Sequence, residues 1–169
     1  CIGYAHSMDL MAKSVKAVLD SLKLKKYVIV GHSMGGYVAL AFANLFPDQL
    51  KGLCLYHSTS HGDNSEKKLD RLRAIQLLRA SKNLYTKTTI KNLFAASNLK
   101  YLKAEMAFAL SIAKKTSRQG MIAALHGMKD RQSHDLILGL VEYPIMMVIG
   151  EKDNVLPPAM LFEQAQFIK

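Results

Sequence analysis

The sequence predicts an α/β fold in which a mostly parallel sheet is flanked by helices. Two short apolar runs, at 27–30 and 53–56, enclose an apolar segment of helical length. Strand, helix and strand within about 30 residues form a βαβ unit with parallel strands. A third apolar run, from Ile145 to Ile149, follows a long stretch that has only helical periodicity. These observations predict a sheet that is interrupted by an all-helical insertion.

The N-terminal elements follow from caps and apolar spacing. Ser7 is a candidate N-cap with Asp9 in the first turn of a helix. The uninterrupted apolarity of 27–30 predicts a strand that is covered on both faces. The segment 37–46 is apolar on nearly every side, which predicts a central helix that Pro47 ends. The apolar positions of the first helix are Met8, Met11, Val15, Val18, Leu19 and Leu22.

The middle of the chain is predicted to be helical. Asp63 and Glu66 have the spacing of a capping box, and a further helix begins after Ser117. Pro157 and Pro158 predict the start of a last helix. We therefore expect an α/β core at 1–57, a helical cap insertion at 58–140 and a return to the core at 141–169. The apolar positions of the insertion are Leu69, Leu72, Ile75 and Leu78, then Leu99, Leu102, Met106, Leu110 and Ala113, then Met121, Ile122, Leu125 and Met128.

The charge distribution bears on nucleic-acid and membrane binding, and the cysteine content bears on the cellular compartment. The net charge of +10 is concentrated in residues 61–135, where 15 Lys and Arg face 6 Asp and Glu. We interpret this as a solvated helix face, because the segment lacks a nucleic-acid-reading motif and interleaved aromatics. We expect neither nucleic-acid nor membrane binding. Two cysteines, Cys1 and Cys54, do not make a disulfide framework, and Cys54 is expected to be a buried thiol. Together with the lack of a recognisable signal peptide, this cysteine content favours a cytoplasmic protein.

The motif with the clearest chemistry is Gly31-x-Ser33-x-Gly35. A serine between a buried strand and a buried helix fits a sharp turn that presents its hydroxyl above the sheet, with glycines leaving room for close backbones. The N–H of Met34 is then a candidate oxyanion donor, helped by the positive end of the helix. The alternative is a purely structural glycine turn.

An acid follows the third strand. Asp153 lies at the carboxyl end of Ile145 to Ile149, where catalytic groups collect in parallel sheets, and it could orient a histidine. The alternatives are an aspartate that caps the last helix, and Glu151 as the acid. Paired with the serine motif, Asp153 is the predicted catalytic acid.

The histidines supply no obvious base. The side chain of His32 is expected to point away from the serine, although His32 and His57 are both candidate substrate contacts. His57 follows the second strand at the same edge and is a weaker candidate for the base. Neither a metal-ligand spacing nor a dinucleotide motif is present, so no cofactor is expected. The remaining histidines, expected to be surface or core residues, are His6, His61, His126 and His134.

These motifs carry a family resemblance. The stretch YVIVGHSMGGYVALAFANLFPDQLKGLCLYHS resembles the nucleophile elbow of α/β-hydrolase-fold proteins of the esterase and haloperoxidase type, and YPIMMVIGEKDNVLPP resembles their acid-bearing strand and loop. The resemblance implies Ser33 as nucleophile, Asp153 as acid, Met34 as one oxyanion donor and the insertion as a cap. It further implies earlier strands and a later catalytic histidine, so we expect an internal fragment with weak or no activity by itself.

The resemblance implies a hydrolase that acts on a small ester or related acyl substrate through a Ser-Asp-His triad. The alternative is a non-catalytic, hydrolase-like binding scaffold, which needs no histidine. Because the fold hosts many chemistries, the family alone does not name the substrate.

Overall fold

Three parallel strands form the sheet of this protein. The structure, a computed structural model, describes residues 5–169, so the prediction about Cys1 lies outside the described residues. The strands are β1 (Tyr27–His32), β2 (Leu50–Tyr56) and β3 (Ile145–Val148), in the order β1-β2-β3. Because all three run in the same direction, their carboxyl ends meet at one edge. The predicted α/β class is confirmed.

Eight α-helices surround or extend this sheet within the described residues. They are α1 (Met8–Ser21), α2 (Met34–Leu45), α3 (Ser65–Ala80), α4 (Lys82–Asn92), α5 (Lys103–Lys115), α6 (Arg118–Lys129), α7 (Asp135–Leu140) and α8 (Pro158–Ala165). Two 3₁₀ turns, Pro47–Gln49 and Ala96–Asn98, follow α2 and α4. As predicted, no strand occurs between β2 and β3 in the part of the chain that the structure describes.

Helix α2 occupies the centre of the core. Phe42 and Leu40 of α2 are fully buried, and they belong to two adjoining clusters that reach α1 and β2. The predicted N-cap of α1 is confirmed, since Ser7 Oγ accepts a hydrogen bond from the Leu10 N–H at 3.2 Å. Cys54 is buried in β2, as expected.

One face of the sheet differs from the prediction. Val28 and Val30 of β1 are 61% and 66% exposed, and Met146 of β3 is 58% exposed. The expectation that the first strand is covered on both faces is therefore wrong for residues 5–169. The physical reason is that α1 and α2 pack on the opposite face, where Leu53 and Leu55 are buried.

The helical segment between β2 and β3 contains two helices, α4 and α7, that the apolar spacing did not predict. The predicted capping box is also wrong, because Asn64 is the N-cap of α3 and accepts a hydrogen bond from the Lys67 N–H. Helix α6 begins directly after Ser117 as expected, and Ser117 is its N-cap. Pro157 directly precedes α8, as expected. Leu99 and Leu102 lie before α5 and not within it.

Asp63 has a different role from the predicted cap. Its side chain has no exposed surface and accepts hydrogen bonds from Arg71 Nε at 3.0 Å and Arg131 Nη1 at 2.7 Å. The Arg131 guanidinium also lies 3.9 Å from the ring centroid of Tyr37 in α2. Because Tyr37 belongs to the core and the arginines to the helical segment, this buried cluster ties the two together.

None of the helices within residues 5–169 combines the length and the apolar character that crossing a membrane requires.

Candidate active site

The turn after β1 places Ser33 in a conformation that few non-glycine residues adopt. Its φ is 52° and its ψ is −119°, at the junction between β1 and α2. The Ser33 N–H donates to the Tyr56 carbonyl at 2.9 Å, and the Ser58 hydroxyl donates to the Ser33 carbonyl at 2.9 Å. Both backbone polar groups of Ser33, its N–H and its carbonyl, are therefore held by residues at and just after the end of β2.

Two glycines make this turn possible, and one of them was not singled out from the sequence. A Cβ on Gly31 would lie 2.5 Å from the Gly35 carbonyl oxygen, and a Cβ on Gly36 would lie 2.1 Å from Ser58 Oγ. A Cβ on Gly35, by contrast, would have no atom of the described residues within 4 Å. The space that we expected Gly31 and Gly35 to provide is therefore provided by Gly31 and Gly36.

Met34, the predicted oxyanion donor, is the first residue of α2. The first N–H groups of a helix have no partner within the helix, and the helix dipole adds positive potential there. The position of Met34 directly after Ser33 is therefore compatible with a donor to a developing oxyanion.

Asp153 lies in the loop after β3 with both carboxylate oxygens engaged. Oδ1 accepts hydrogen bonds from the N–H groups of Val155 at 2.8 Å and Leu156 at 3.0 Å, and Oδ2 lies 3.0 Å from His57 Nδ1. Burial raises the pKa of Asp153, but the hydrogen bonds from Leu156, His57 and Val155 outweigh it and hold the pKa below its usual value. The group is thus an ionised carboxylate at neutral pH.

The pairing of His57 with Asp153 is the contact that sequence reasoning missed. The sequence places His57 directly after the second strand and Asp153 after the third, and these strands are neighbours in the sheet. That shared edge was the available signal, since it brings the two side chains within reach. Because the sequence does not give the distance between these side chains, it predicts His57 only as a substrate contact and a weaker candidate for the base.

His32 also differs from its prediction. Its ring lies 5.4 Å from that of Tyr56 and 6.1 Å from that of His57, measured between centroids, and it lines the same cavity as Ser33. The expectation that it points away from the site is wrong. Glu151, the alternative acid, is exposed and does not line this cavity.

An open cavity of about 510 Å³ joins these groups. The helical segment contributes apolar wall residues to it, and the loop after β3 contributes Lys152. The Asn154 amide donates to the Phe94 carbonyl at 3.2 Å, which links that loop to the helical segment. The lining residues are His32, Ser33, Tyr37, Tyr56, His57, Leu93, Phe94, Ala95, Ala109, Gly150, Lys152, Asp153, Val155 and Leu156.

Three methionines at the apolar positions of the insertion lie outside this cavity. Met121 and Met128 pack against the buried cluster between α3 and α6. Met106 lies in a separate groove between α4 and α5. Leu93 and Phe94, which follow α4, line the cavity instead.

The other histidines stand apart from this cavity. His61 pairs with Asp135 at 2.7 Å, and burial lowers the pKa of His134. Among the described residues, no group of three or more His, Cys, Asp or Glu side chains is arranged to hold a metal ion.

Comparison with known proteins identifies the family. The sequence profile described as alpha/beta hydrolase fold matches residues 3–169. The chain belongs to the α/β-hydrolase fold family. The helical segment between β2 and β3 and the sheet described above both lie within the matched residues.

Individual relatives of this α/β hydrolase include proteins of different activity. A 2-hydroxy-6-oxononadienedioate/2-hydroxy-6-oxononatrienedioate hydrolase of Paraburkholderia xenovorans is 27% identical over 93% of the chain and 59% of the relative. The dihydrolipoyllysine-residue acetyltransferase component of an acetoin cleaving system of Pseudomonas putida is 31% identical over 89% of the chain and 40% of the relative.

Solved structures agree on the fold. A thermophilic esterase of Thermogutta terrifontis has a TM-score of 0.90 at 28% identity, covering 97% of the chain and 61% of the esterase. The enol-lactonase of Burkholderia xenovorans has a TM-score of 0.84 at 18% identity, covering 96% of the chain and 62% of the lactonase. The chain therefore spans about two fifths to three fifths of the length of these proteins.

Proposed function

We propose that this chain provides the nucleophile and the acid of a serine hydrolase that cleaves a small ester or related acyl substrate. The observation that carries the proposal is the turn at Ser33, whose φ of 52° raises the hydroxyl at the edge of the sheet where Asp153 is held. A strained backbone at a cavity, next to an ionised carboxylate, is typical of a catalytic site.

The chemistry follows from these positions. Ser33 Oγ attacks the substrate carbonyl while a histidine oriented by Asp153 takes the hydroxyl proton. The negative charge that develops on the carbonyl oxygen is stabilised by the Met34 N–H at the start of α2. The histidine then gives the proton to the leaving alcohol, and a water molecule hydrolyses the acyl-enzyme by the same steps in reverse.

The walls of the cavity favour a small acyl group with apolar character. Leu93, Phe94, Val155 and Leu156 line it from two sides, and the helical segment acts as a cap over the serine. The esterase and the hydrolase among the relatives support hydrolytic chemistry. An ester is the simplest substrate compatible with the site.

The test uses the full-length protein and a fluorophosphonate, whose phosphorus forms a bond to an activated serine oxygen with loss of fluoride. We expect one adduct by intact mass, and hydrolysis of a p-nitrophenyl ester that Ser33→Ala lowers by about 10³-fold or more. Ser111→Ala, at an exposed serine of α5, is the matched control and should leave both readouts unchanged. A full-length protein that is folded and neither labelled nor active would favour the non-catalytic binding scaffold.

A further inference from the structure

The backbone of His57 is fixed between all three strands. Its φ is 45°, so the chain turns sharply where β2 ends. The His57 N–H donates to the Val148 carbonyl of β3 at 2.9 Å, and the carbonyl of the preceding residue, Tyr56, accepts from Ser33 after β1. The backbone from which the His57 side chain extends is therefore held both to the turn that carries Ser33 and to the strand that precedes Asp153.

The imidazole ring of His57 is packed as well. A Cβ on Gly150 would lie 2.4 Å from His57 Cε1 and 3.1 Å from His57 Nδ1, so only glycine at this position leaves room for the ring. The ring also meets that of Tyr56 edge to face at a centroid distance of 4.9 Å. These contacts hold the ring where its Nδ1 is 3.0 Å from Asp153 Oδ2.

The direction of the bond between His57 and Asp153 follows from chemistry. An ionised carboxylate only accepts hydrogen bonds, so His57 Nδ1 carries the proton and donates it. Oδ1 of Asp153 is already held by the N–H groups of Val155 and Leu156, and His57 is the donor that fixes Oδ2. Because a carboxylate oxygen has two acceptor sites, Oδ2 keeps one for a second donor.

We propose that His57 is a positioning residue that orients the Asp153 carboxylate through Oδ2 and leaves the second acceptor site of that oxygen to the histidine that serves as base. The inference rests on the proposed function, in which Asp153 is the triad acid. It assigns His57 to orientation and not to proton transfer, because no hydrogen bond joins its ring to the Ser33 hydroxyl within residues 5–169.

Two substitutions of the same shape separate the alternatives in the full-length protein. In His57→Asn, the amide nitrogen can occupy the place of Nδ1 and donate to Asp153, whereas in His57→Asp an acceptor of the same size faces that carboxylate. Asn and Asp both tolerate a positive φ better than most residues, so backbone strain is matched. Steady-state kinetics with a p-nitrophenyl ester and thermal unfolding are measured for both variants.

We expect His57→Asn to retain kcat within about 3-fold, and His57→Asp to lose about 10- to 100-fold in kcat with KM changed less than about 2-fold. The loss in His57→Asp combines the missing charge-assisted hydrogen bond with the repulsion between two neighbouring carboxylates. A loss of about 10³-fold or more in both variants would overturn the proposal in favour of His57 as the base. Equal activity of both variants and the wild type would also overturn it. A wild-type protein that a fluorophosphonate does not label would instead refute the proposed function itself, and with it the role of His57.

Discussion

Two adjacent glycines in the first turn of α2 are predicted to respond in opposite ways to the same substitution. A Cβ on Gly36 would lie 2.1 Å from Ser58 Oγ and 2.4 Å from Ser58 Cβ, while a Cβ on Gly35 would meet no atom of the described residues within 4 Å. Gly36→Ala therefore forces α2 away from the segment after β2. Gly35→Ala adds a methyl group to a helix without a clash.

The magnitude of each effect follows from the contacts. Ser58 is 1% exposed and its hydroxyl donates to the Ser33 carbonyl, so it has no free space to move into. Overpacking a core costs about 1–3 kcal/mol, and a clash shorter than ordinary contact by more than about 1 Å belongs at the upper end of that range. The gain from replacing glycine by alanine within a helix is about 0.5–1 kcal/mol. In Gly36→Ala this gain partly offsets the clash, so we expect the free energy of unfolding to fall by about 2 kcal/mol. In Gly35→Ala only the gain remains, so we expect the free energy of unfolding to rise by up to about 1 kcal/mol.

Thermal unfolding measures both variants, and at this chain length 1 kcal/mol corresponds to about 2–4 °C. The unfolding temperature should fall by about 4–8 °C in Gly36→Ala and rise by about 1–4 °C in Gly35→Ala. Fluorophosphonate labelling should slow only in Gly36→Ala, because Ser58 also holds the Ser33 carbonyl. Shifts of the same sign and size in the two variants would refute the packing argument.

Two further predictions concern the carboxylates of Asp63 and Asp153. Asp63→Ala leaves the buried Arg131 guanidinium without its carboxylate, so urea titration should show the free energy of unfolding lowered by about 3–5 kcal/mol. Asp70→Ala, which breaks an exposed ion pair, is the control and should lower it by only about 0.2–1 kcal/mol. Equal losses in the two variants would contradict this reasoning. Burial raises the pKa of Asp153, but its hydrogen bonds, led by the one from the Leu156 N–H, outweigh burial and lower the pKa. The ionised form of Asp153 therefore stabilises the fold at neutral pH. This contribution is lost as the pH falls below the ordinary pKa of 3.8. The unfolding temperature of Asp153→Asn should therefore fall less steeply between about pH 5 and pH 2 than that of the wild type, and parallel curves would count against the reasoning.

The features predicted correctly from the sequence depend on local or strictly periodic signals. Ser7, the predicted N-cap of α1, accepts a hydrogen bond from the N–H three residues later, an interaction that needs no distant partner. Pro157 precedes the last helix for an equally local reason. The three strands were recognisable because continuous apolar runs of this length indicate strands of a parallel sheet.

The missed helices lack such signals. Helix α4 has Thr86 as its buried residue, and its other positions include further threonines and lysines, so no apolar stripe marks it. Helix α7 has only six residues, fewer than two turns, of which Leu138 is buried. Asp63 was misread for another reason, since its partners Arg71 and Arg131 lie 8 and 68 residues away. Periodicity is insensitive to contacts of that kind.

The candidate site likewise combines features that local sequence patterns predict with features that depend on distant contacts. The sequence pattern located Ser33 and Asp153 individually, because each follows a recognisable strand. Their relation to His57 depends on the sheet order β1-β2-β3, which places the three strand ends side by side. The need for glycine at Gly36 and Gly150 likewise depends on what each Cβ would meet, namely Ser58 and the His57 ring, 22 and 93 residues away.

The backbone conformation at this edge of the sheet supports the proposed function. Three described non-glycine residues have a positive φ, and two of them, Ser33 and His57, follow neighbouring strands and line one cavity. The left-handed conformation costs about 1–2 kcal/mol for a residue with a Cβ, and glycine would avoid that cost. Glycine would also remove the hydroxyl and the imidazole from the cavity that Asp153 lines. Strain at two adjacent strand ends is therefore best understood as the consequence of requiring these side chains at these positions, which connects the fold to the proposed hydrolase.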